Sequence, residues 1–267
     1  MQLYHHPYSL DSQKVRLALE ERNIDYTSYH VNPITGKNMD PSFFRMNPTA
    51  KLPVFQNGGH VIFNTIEIIL YIERIALVSS GSGIIKQSSK KVVEWMYKIQ
   101  EWNPKFFTIS HIPEKYYIYV SKFIRRVVIA RMSEAPELAT AYHTKLKEAY
   151  ETEEKLRDPQ VLQRSEQHLI KLLDEVEIQL EETLYLAEDE FTLADVMLVP
   201  ILARLTLLGL ENDYICCRPK LAAYWALVQQ RPSYKHVIGK HFGGWRRRKT
   251  LLKTWCIVRM RCMLKRF

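Results

Sequence analysis

The sequence predicts a small α/β domain over residues 1–78, joined by a linker over 79–90 to an all-α domain over 91–240, with a basic amphipathic extension over 241–267. The first domain is indicated by short runs rich in β-branched and aromatic residues, which alternate with an apolar period of helical spacing. The second is indicated by long helical periods separated by single prolines. At 267 residues the chain is long enough for two domains.

The first domain begins with a β-α-β pattern. Residues 2–5 are predicted as a strand, a helix starts at Leu10 and ends at the polar run 20–23, and residues 24–31 are predicted as the next strand. A β-β-α pattern follows, in which Asn57-Gly58-Gly59 forms the hairpin turn. Its strands are predicted at 52–55 and 60–63, and its helix at 65–77.

The second domain is predicted to be entirely helical, with helices at 92–103, 116–132, 137–155, 161–184, 193–210 and 220–230. The run 193–210 is the most apolar, but Pro200 and Arg204 interrupt it. It is therefore expected to be a buried core helix rather than a membrane span. The start of the chain does not resemble a signal peptide, because charged residues interrupt it.

Five short motifs carry a resemblance to a known family. Three are polar corners in the first domain, and two lie in the second half. They are Tyr8-Ser9-Leu10-Asp11-Ser12-Gln13-Lys14-Val15-Arg16, Asn47-Pro48 with Lys51-Leu52-Pro53-Val54, Asn64-Thr65, Phe191-Thr192-Leu193-Ala194-Asp195-Val196 and Arg231-Pro232-Ser233-Tyr234. Together they resemble the glutathione transferase superfamily, and within it the plant class called tetrachlorohydroquinone dehalogenase-like, over nearly the whole chain.

The resemblance implies a thioredoxin-like, glutathione-binding first domain and an all-helical, electrophile-binding second domain. It implies a transferase that uses glutathione as co-substrate and a small electrophile or a peroxide as the other substrate. It implies no metal, and it makes a homodimer one option for assembly.

The resemblance assigns the catalytic hydroxyl to Ser9. A free thiol such as that of glutathione has a pKa of about 8.5, so little nucleophilic thiolate exists at neutral pH. A hydroxyl that donates to the sulfur, and a helix N-terminus directed at it, both favour the thiolate. Ser12, on the first turn of the same helix, is the alternative donor, and it is also a candidate helix cap.

The same resemblance assigns the second corner to the cysteinyl and glycyl parts of glutathione, through Lys51, Leu52 and Pro53. Pro53 is expected to follow a cis peptide bond. The backbone N–H and C=O of Leu52 would then pair with the cysteinyl main chain of glutathione, like an added strand. Lys51 would reach the glycyl carboxylate, with a solvated lysine at the sheet edge as the alternative.

Asn64 and Thr65 are assigned to the γ-glutamyl end of glutathione. The hydroxyl and backbone N–H of Thr65 are expected to bind its carboxylate at a helix N-terminus, although Thr65 could also be a plain N-cap. Asn64 stands where the family usually carries Glu, which weakens the expected contact with the glutamyl ammonium. Asn38 is a weaker candidate at the glycyl end.

The cysteines exclude one kind of chemistry at the first corner. All four of them, Cys216, Cys217, Cys256 and Cys262, lie in the second half, and Asp11 stands where the bacterial dehalogenase carries its nucleophilic thiol. Mixed-disulfide catalysis at that corner is therefore excluded. Few cysteines at no disulfide-like spacing fit a reducing compartment.

The last 27 residues carry the whole net charge of the chain. They contain nine Lys or Arg and no acid, whereas the formal net charge of the full sequence is +9. Basic residues mixed with Trp and Leu favour an anionic membrane surface, and Leu251, Trp255, Val258 and Cys262 are predicted to share a face. The expected location is cytoplasmic, with peripheral attachment to a cytoplasmic membrane face such as the plasma membrane. No nucleic-acid partner is expected, and a disordered tail is the alternative.

Two functions remain open from the sequence. One is a Ser-type glutathione transferase. The other is a membrane-associated, non-catalytic ligand-binding or interaction protein of the same fold, as the long middle region and the tail are similar to those of ganglioside-induced differentiation-associated protein 1. The helix at 122–131 is interpreted either as a wall of the electrophile site or as a core helix with a solvated basic stripe.

Overall fold

The computed structural model describes residues 1–80 and 88–264. Within them, the first domain is built on a sheet of strand order β2-β1-β3-β4. Strands β1 and β2 are parallel, and β1–β3 and β3–β4 are antiparallel. The bounds are β1 Gln2–His5, β2 Thr27–His30, β3 Val54–Asn57 and β4 His60–Ile62. The thioredoxin-like α/β arrangement predicted for this domain is therefore confirmed.

Three helices surround this sheet: α1 (Leu10–Glu21), α2 (Pro41–Met46) and α3 (Thr65–Ser80). Helix α2 lies between the β-α-β and β-β-α patterns, in a segment for which the sequence predicts no element. Strand β2 starts later than predicted, since Asn23 has a φ of +50° and the N–H of Ile24 donates to Leu19 at the end of α1. These residues therefore finish the helix rather than begin the strand.

The second domain is all-helical, as predicted. Its helices are α4 Lys90–Glu101, α5 Pro104–Ser110, α6 Glu114–Glu134, α7 Ala139–Lys155, α8 Pro159–Glu182, α9 Leu193–Leu208, α10 Pro219–Gln229, α11 Pro232–Tyr234 and α12 Lys240–Phe242. Helix α5 was missed because Pro104 was taken as a helix breaker. Proline is favoured in the first turn of a helix, and it opens α5 there. The predicted linker falls largely on residues 81–87, outside the described residues.

The two domains share one apolar core. Val15 and Ala18 of α1 and Ile69 of α3 belong to the same buried cluster as Val199 and Leu202 of α9. Helix α9 begins with a capping box: Thr192 Oγ1 accepts from the backbone of Ala194, and Asp195 Oδ2 accepts from the N–H of Thr192. The capping box fixes where α9 begins.

A second apolar cluster joins α6 and α7 to the loops of the first domain. Phe44 and Tyr142 stack with ring centroids 4.2 Å apart, and the Tyr142 hydroxyl donates to the carbonyl of Met39 at 2.7 Å. At Gly36 (φ +76°) a Cβ atom would lie 2.8 Å from Cγ1 of Val127 on α6. This position therefore requires glycine for both backbone and packing reasons.

The basic extension forms helix α13 (Gly244–Leu264). It lies against the 3-10 turn Pro33–Thr35, where Asn32 Nδ2 donates to Thr254 Oγ1 at 3.0 Å and Arg261 donates to the carbonyl of Thr35 at 3.1 Å. Val258 is 2% exposed and belongs to the second cluster. No helix among residues 1–80 and 88–264 combines the length and apolarity needed to cross a bilayer.

This packing corrects the predicted face of the extension. The set Leu251, Trp255, Val258 and Cys262 does not act as one exposed apolar face. Val258 and Cys262 pack on the body of the protein, whereas Leu251 and Trp255 stay exposed. The sequence pattern missed the split because α6 and the Pro33–Thr35 turn offer an apolar surface only after folding.

Candidate functional site

The three polar corners meet at one edge of the sheet. Tyr4 pairs with Val54 across β1 and β3, so continuing the register sets His5, before the first corner, beside Pro53. Phe55 pairs with Ile62 across β3 and β4, and the same continuation sets Asn64 opposite Pro53. The pairing of the strands therefore brings together segments that are far apart in sequence.

Ser9 is the N-cap of α1. It has extended backbone dihedral angles, and its Oγ accepts from the N–H of Ser12 at 3.3 Å. The hydroxyl accepts this bond through a lone pair, so its proton remains available for donation to another group. Ser9 is half-buried and lines a cavity.

The sequence left Ser9 and Ser12 as alternatives, and in the structure Ser12 makes a buried structural contact. It is fully buried, and its Oγ accepts from the backbone N–H of His6 at 3.4 Å. The capping role proposed for Ser12 therefore belongs to Ser9. Ser12 instead ties the end of β1 to the first turn of α1.

The second corner carries the cis peptide bond expected between Leu52 and Pro53. Asn47 organises the preceding loop, since its Nδ2 donates to the carbonyl of Lys51 at 2.9 Å and its Oδ1 accepts from the N–H of Thr49 at 3.0 Å. Lys51 itself is exposed. Burial lowers the pKa of Lys105 on α5, and the positive charges of Lys145 and Lys51 add to that shift.

At the third corner Asn64, rather than Thr65, caps the helix. Asn64 Oδ1 accepts from the N–H of Ile66 at 3.0 Å and of Glu67 at 3.2 Å. Asn64 thereby satisfies two of the backbone N–H groups that have no partner within the first turn of α3. The backbone N–H of Thr65, the first residue of the helix, is not one of these two. Thr65 is buried and therefore does not face bulk solvent.

Asn38 lies behind the loop rather than at the surface. It is buried, and its Nδ2 donates to the carbonyl of Ala50 at 2.9 Å. The residue supports the segment that precedes Leu52. A direct contact between Asn38 and the glycyl end of glutathione stays a prediction.

A cavity of about 270 Å³ opens beside Ser9, between the two domains. Its walls come from the first corner, from α5 and from one side chain of α9: Tyr8, Ser9, Leu10, Asp11, Pro104, Lys105, Thr108, Ile109 and Arg204. The helix at 122–131, now part of α6, does not line it. Phe123, Val127 and Val128 of that helix pack against the first domain instead, which favours the core-helix interpretation.

Arg204 is the residue at this site that sequence reasoning missed. It was read only as an interruption of an apolar run. In the structure its guanidinium donates to the carbonyl of Tyr8, and burial lowers its pKa to about 10. Arg204 is the one charged residue of α9 apart from Asp195 of the capping box, and this was the available signal, because burying a charge is costly without a reason for it.

The start of the extension also reaches the first corner. The Tyr8 hydroxyl donates to the carbonyl of His241 at 2.8 Å, and its ring stacks on Phe242 with centroids 6.0 Å apart. Both contacts are made by Tyr8, the residue that precedes Ser9. Two residues of α12 thus help to hold the first corner in place.

Comparisons with known proteins agree with this arrangement. A family model described as the glutathione S-transferase N-terminal domain matches residues 8–75, and one described as its C-terminal domain matches residues 159–226. The chain is 66% identical to the glutathione S-transferase TCHQD of Arabidopsis thaliana, over 100% of both chains. It is 27% identical to the tetrachloro-p-hydroquinone reductive dehalogenase of Sphingobium chlorophenolicum, over 87% of this chain and 93% of that protein.

A solved structure gives the same fold. Glutathione transferase F7 of Populus trichocarpa superposes with a TM-score of 0.62 at 22% identity, over 91% of this chain and 99% of that one. The chain therefore belongs to the glutathione transferase family, in its tetrachlorohydroquinone dehalogenase-like class, and is a glutathione transferase with glutathione as its co-substrate.

Proposed function

We propose that this transferase is of the Ser type and that Ser9 stabilises the thiolate of glutathione for attack on an electrophile or a peroxide. The observation that carries the proposal is the position of Ser9, at the N-cap of α1 and at the mouth of the cavity. A pKa lower by two units requires about 2.7 kcal/mol of preference for the thiolate. One charge-assisted hydrogen bond together with a helix N-terminus is of that magnitude.

The other corners support glutathione binding along the edge of the sheet. The backbone of Leu52 would pair with the cysteinyl main chain, and the hydroxyl and backbone N–H of Thr65 would both donate to the γ-glutamyl carboxylate at the start of α3. Lys51 would attract the glycyl carboxylate from an exposed position. In this scheme Ser9 donates a hydrogen bond to sulfur and does not remove the proton.

Replacement of Ser9 tests the proposal. Ser9→Ala is expected to lower kcat/KM for a chloronitrobenzene by about 100-fold and to move the pH-rate midpoint upward, because each 1.4 kcal/mol is a factor of ten. Ser12→Ala is the matched control, since it removes a nearby hydroxyl that does not line the cavity. Unchanged turnover in Ser9→Ala, or an equal loss in both variants, would refute the assignment.

Calorimetric titration separates this function from that of a non-catalytic carrier. The transferase is expected to bind glutathione, and Thr65→Val is expected to weaken the binding. Absence of glutathione binding in the wild-type protein, together with absence of turnover, would favour the carrier.

We further propose that the outer face of α13 attaches the protein peripherally to a cytoplasmic membrane face. Trp245 is 78% exposed and Leu252 is 62% exposed, and both lie beside Arg248, Lys249 and Trp255. Exposed indole and leucine side chains among cations suit the headgroup region of an anionic bilayer, where each basic residue contributes roughly 1 kcal/mol.

Sedimentation with phosphatidylserine vesicles tests this attachment. Trp245→Ala combined with Leu252→Ala is expected to reduce the bound fraction at low salt, and raising the salt is expected to do the same to the wild type. Glu94→Ala on α4 is an exposed control. Equal sedimentation of the wild type and the double variant would exclude this face as the anchor.

A further inference from the structure

Arg204 is a cation whose charge is not neutralised by the protein around it. No carboxylate lies within 4 Å of its guanidinium among residues 1–80 and 88–264, and its one hydrogen bond goes to the neutral carbonyl of Tyr8. Its Nε is buried and without a hydrogen-bond partner in the same part of the chain. Buried charges in proteins are usually paired, because an unpaired one loses its hydration without compensation.

The surroundings of Arg204 increase rather than cancel this positive charge. Lys105, on the facing wall of the cavity, donates to the hydroxyl of Thr152 at 2.6 Å and to no carboxylate within 4 Å in the described structure. Asp11 is the only acid among the lining residues, and Lys14 neutralises it across 2.9 Å. The residues that line the cavity therefore carry two cations, Lys105 and Arg204, against one acid that is already paired; Glu148, which acts on Lys105, does not line the cavity.

The hydrogen bond to the first corner does not by itself explain why residue 204 is a charged arginine. The carbonyl of Tyr8 accepts one of the five N–H donors that a guanidinium carries, and a neutral amide could supply that bond as well. The remaining donors and the charge suit a planar anion, because a guanidinium matches a carboxylate in geometry.

We propose that Arg204 binds an anionic group of the electrophile, so that the second substrate of this transferase is an aromatic or aliphatic electrophile that carries a carboxylate or phenolate. The inference rests on the proposed function, since it places the reacting carbon between Arg204 and the thiolate held by Ser9. In the conjugation the sulfur electron pair forms the new carbon–sulfur bond. The leaving group, chloride in a chloroarene, departs with the pair of the broken bond.

Two chloroarenes of nearly equal size test the charge preference. 4-Chloro-3-nitrobenzoate carries the anion, and 4-chloro-3-nitrobenzamide is its neutral counterpart. Each kcat/KM is divided by the uncatalysed rate constant with free glutathione, which removes the difference in intrinsic reactivity. The wild type is expected to favour the benzoate, and Arg204→Met is expected to reduce that preference about tenfold or more, mainly through KM.

Two further variants keep the test decisive. Arg204→Lys retains the charge and is expected to keep part of the preference, and Arg164→Met on the exposed face of α8 is the control for loss of a positive charge elsewhere. If Arg204→Met does not fold, the wild-type preference and that of Arg204→Lys still decide. An equal loss with both substrates, or a shift in the pH-rate midpoint with no change of preference, would assign Arg204 to the thiolate and overturn the proposal.

Failure of the proposed function has a different signature. If the wild type conjugates neither chloroarene, the transferase mechanism fails, but calorimetry with 3-nitrobenzoate and 3-nitrobenzamide still examines the anion site. Tighter binding of the benzoate, lost in Arg204→Met, supports the site independently of turnover. Equal binding of the two compounds would refute it.

Discussion

At two corners of the site, a single polar side chain caps the N-terminus of a helix. Ser9 and Asn64 each accept hydrogen bonds from backbone N–H groups at the start of a helix. These bonds orient the first turn and keep its positive end toward the sheet edge. Under the proposed function, a substitution at either position is therefore expected to change stability and glutathione binding together.

Asn64 gives the prediction at the residue scale. Asn64→Ala removes the acceptor of two N–H groups of α3, so the free energy of unfolding is expected to fall by about 1 kcal/mol. The glutathione dissociation constant is expected to rise, because the first turn no longer holds Thr65 in place. Urea unfolding and calorimetry measure the two effects.

Asn64→Asp is the matched variant, since a carboxylate keeps both acceptor positions. It is expected to retain the stability of the wild type. If Asn64→Ala is as stable as Asn64→Asp and binds glutathione equally well, the cap does not have this role.

At the scale of elements, α13 is divided lengthwise into two faces with different environments. Thr254 and Val258 face the Pro33–Thr35 turn and α6, whereas Leu252 and Trp255 face solvent. The extension is therefore a docked helix rather than a free tail. Since its start also holds Tyr8, removal of everything after Lys240 would disturb the corner at Ser9 as well.

Val258 and Leu252 give a matched pair for this element. Val258→Ala removes two methyl groups from a buried contact and is expected to loosen α13, which speeds tryptic cleavage at its many Arg and Lys residues. Leu252→Ala deletes a larger side chain from an exposed position and is expected to leave the cleavage rate unchanged. Equal cleavage rates in both variants would show that α13 is not held by its inner face.

At the scale of the whole molecule, histidines on both sides of the domain junction have lowered pKa values: His5 and His6 are buried, and His241 is half-buried. Burial is the main cause that lowers the pKa of His5 to about 3 and those of His6 and His241 to about 4, with Arg16 contributing at His5 and His241. His5 shares a hydrogen bond of 2.6 Å with Ser28. Protonation of any of them would place a charge in a site already near Arg16 or Arg204.

Acidification is therefore expected to destabilise the fold before most carboxylates titrate. The folded-state pKa values lie below the unfolded value of 6.5, so the stabilisation is complete above pH 6.5 and is lost as the pH falls from 6.5 toward 4. Each histidine contributes at most about 1.4 kcal/mol per pH unit in that window. Urea unfolding at pH 7, 6 and 5 measures the slope, and His241→Gln is expected to reduce it. A free energy of unfolding that stays constant from pH 7 to pH 5 would contradict this account.

The sequence by itself determined the family, the three corners and most of the elements, but not α2 and α5. Local rules fix these features: the period of the apolar residues sets strand or helix, and Asn57-Gly58-Gly59 fixes the hairpin. The motif at residues 191–196 likewise fixed a capping box, since Thr192 and Asp195 lie within one turn. Ser9 could be identified from the sequence because it lies within a contiguous motif, residues 8–16, and its catalytic role is the proposal made above.

Only the tertiary structure decided which side chains share the cavity and what covers them. Arg204 lies 195 residues after Ser9, and no local pattern states that α9 brings its guanidinium to the carbonyl of Tyr8. The division of roles between Ser9 and Ser12 likewise depended on which of them faces the domain junction. The docking of α13 depended on an apolar surface formed by α6 and the first domain together. Periodicity shows that a residue is apolar or charged, but its partner is set by long-range packing, which the sequence pattern of one segment does not contain.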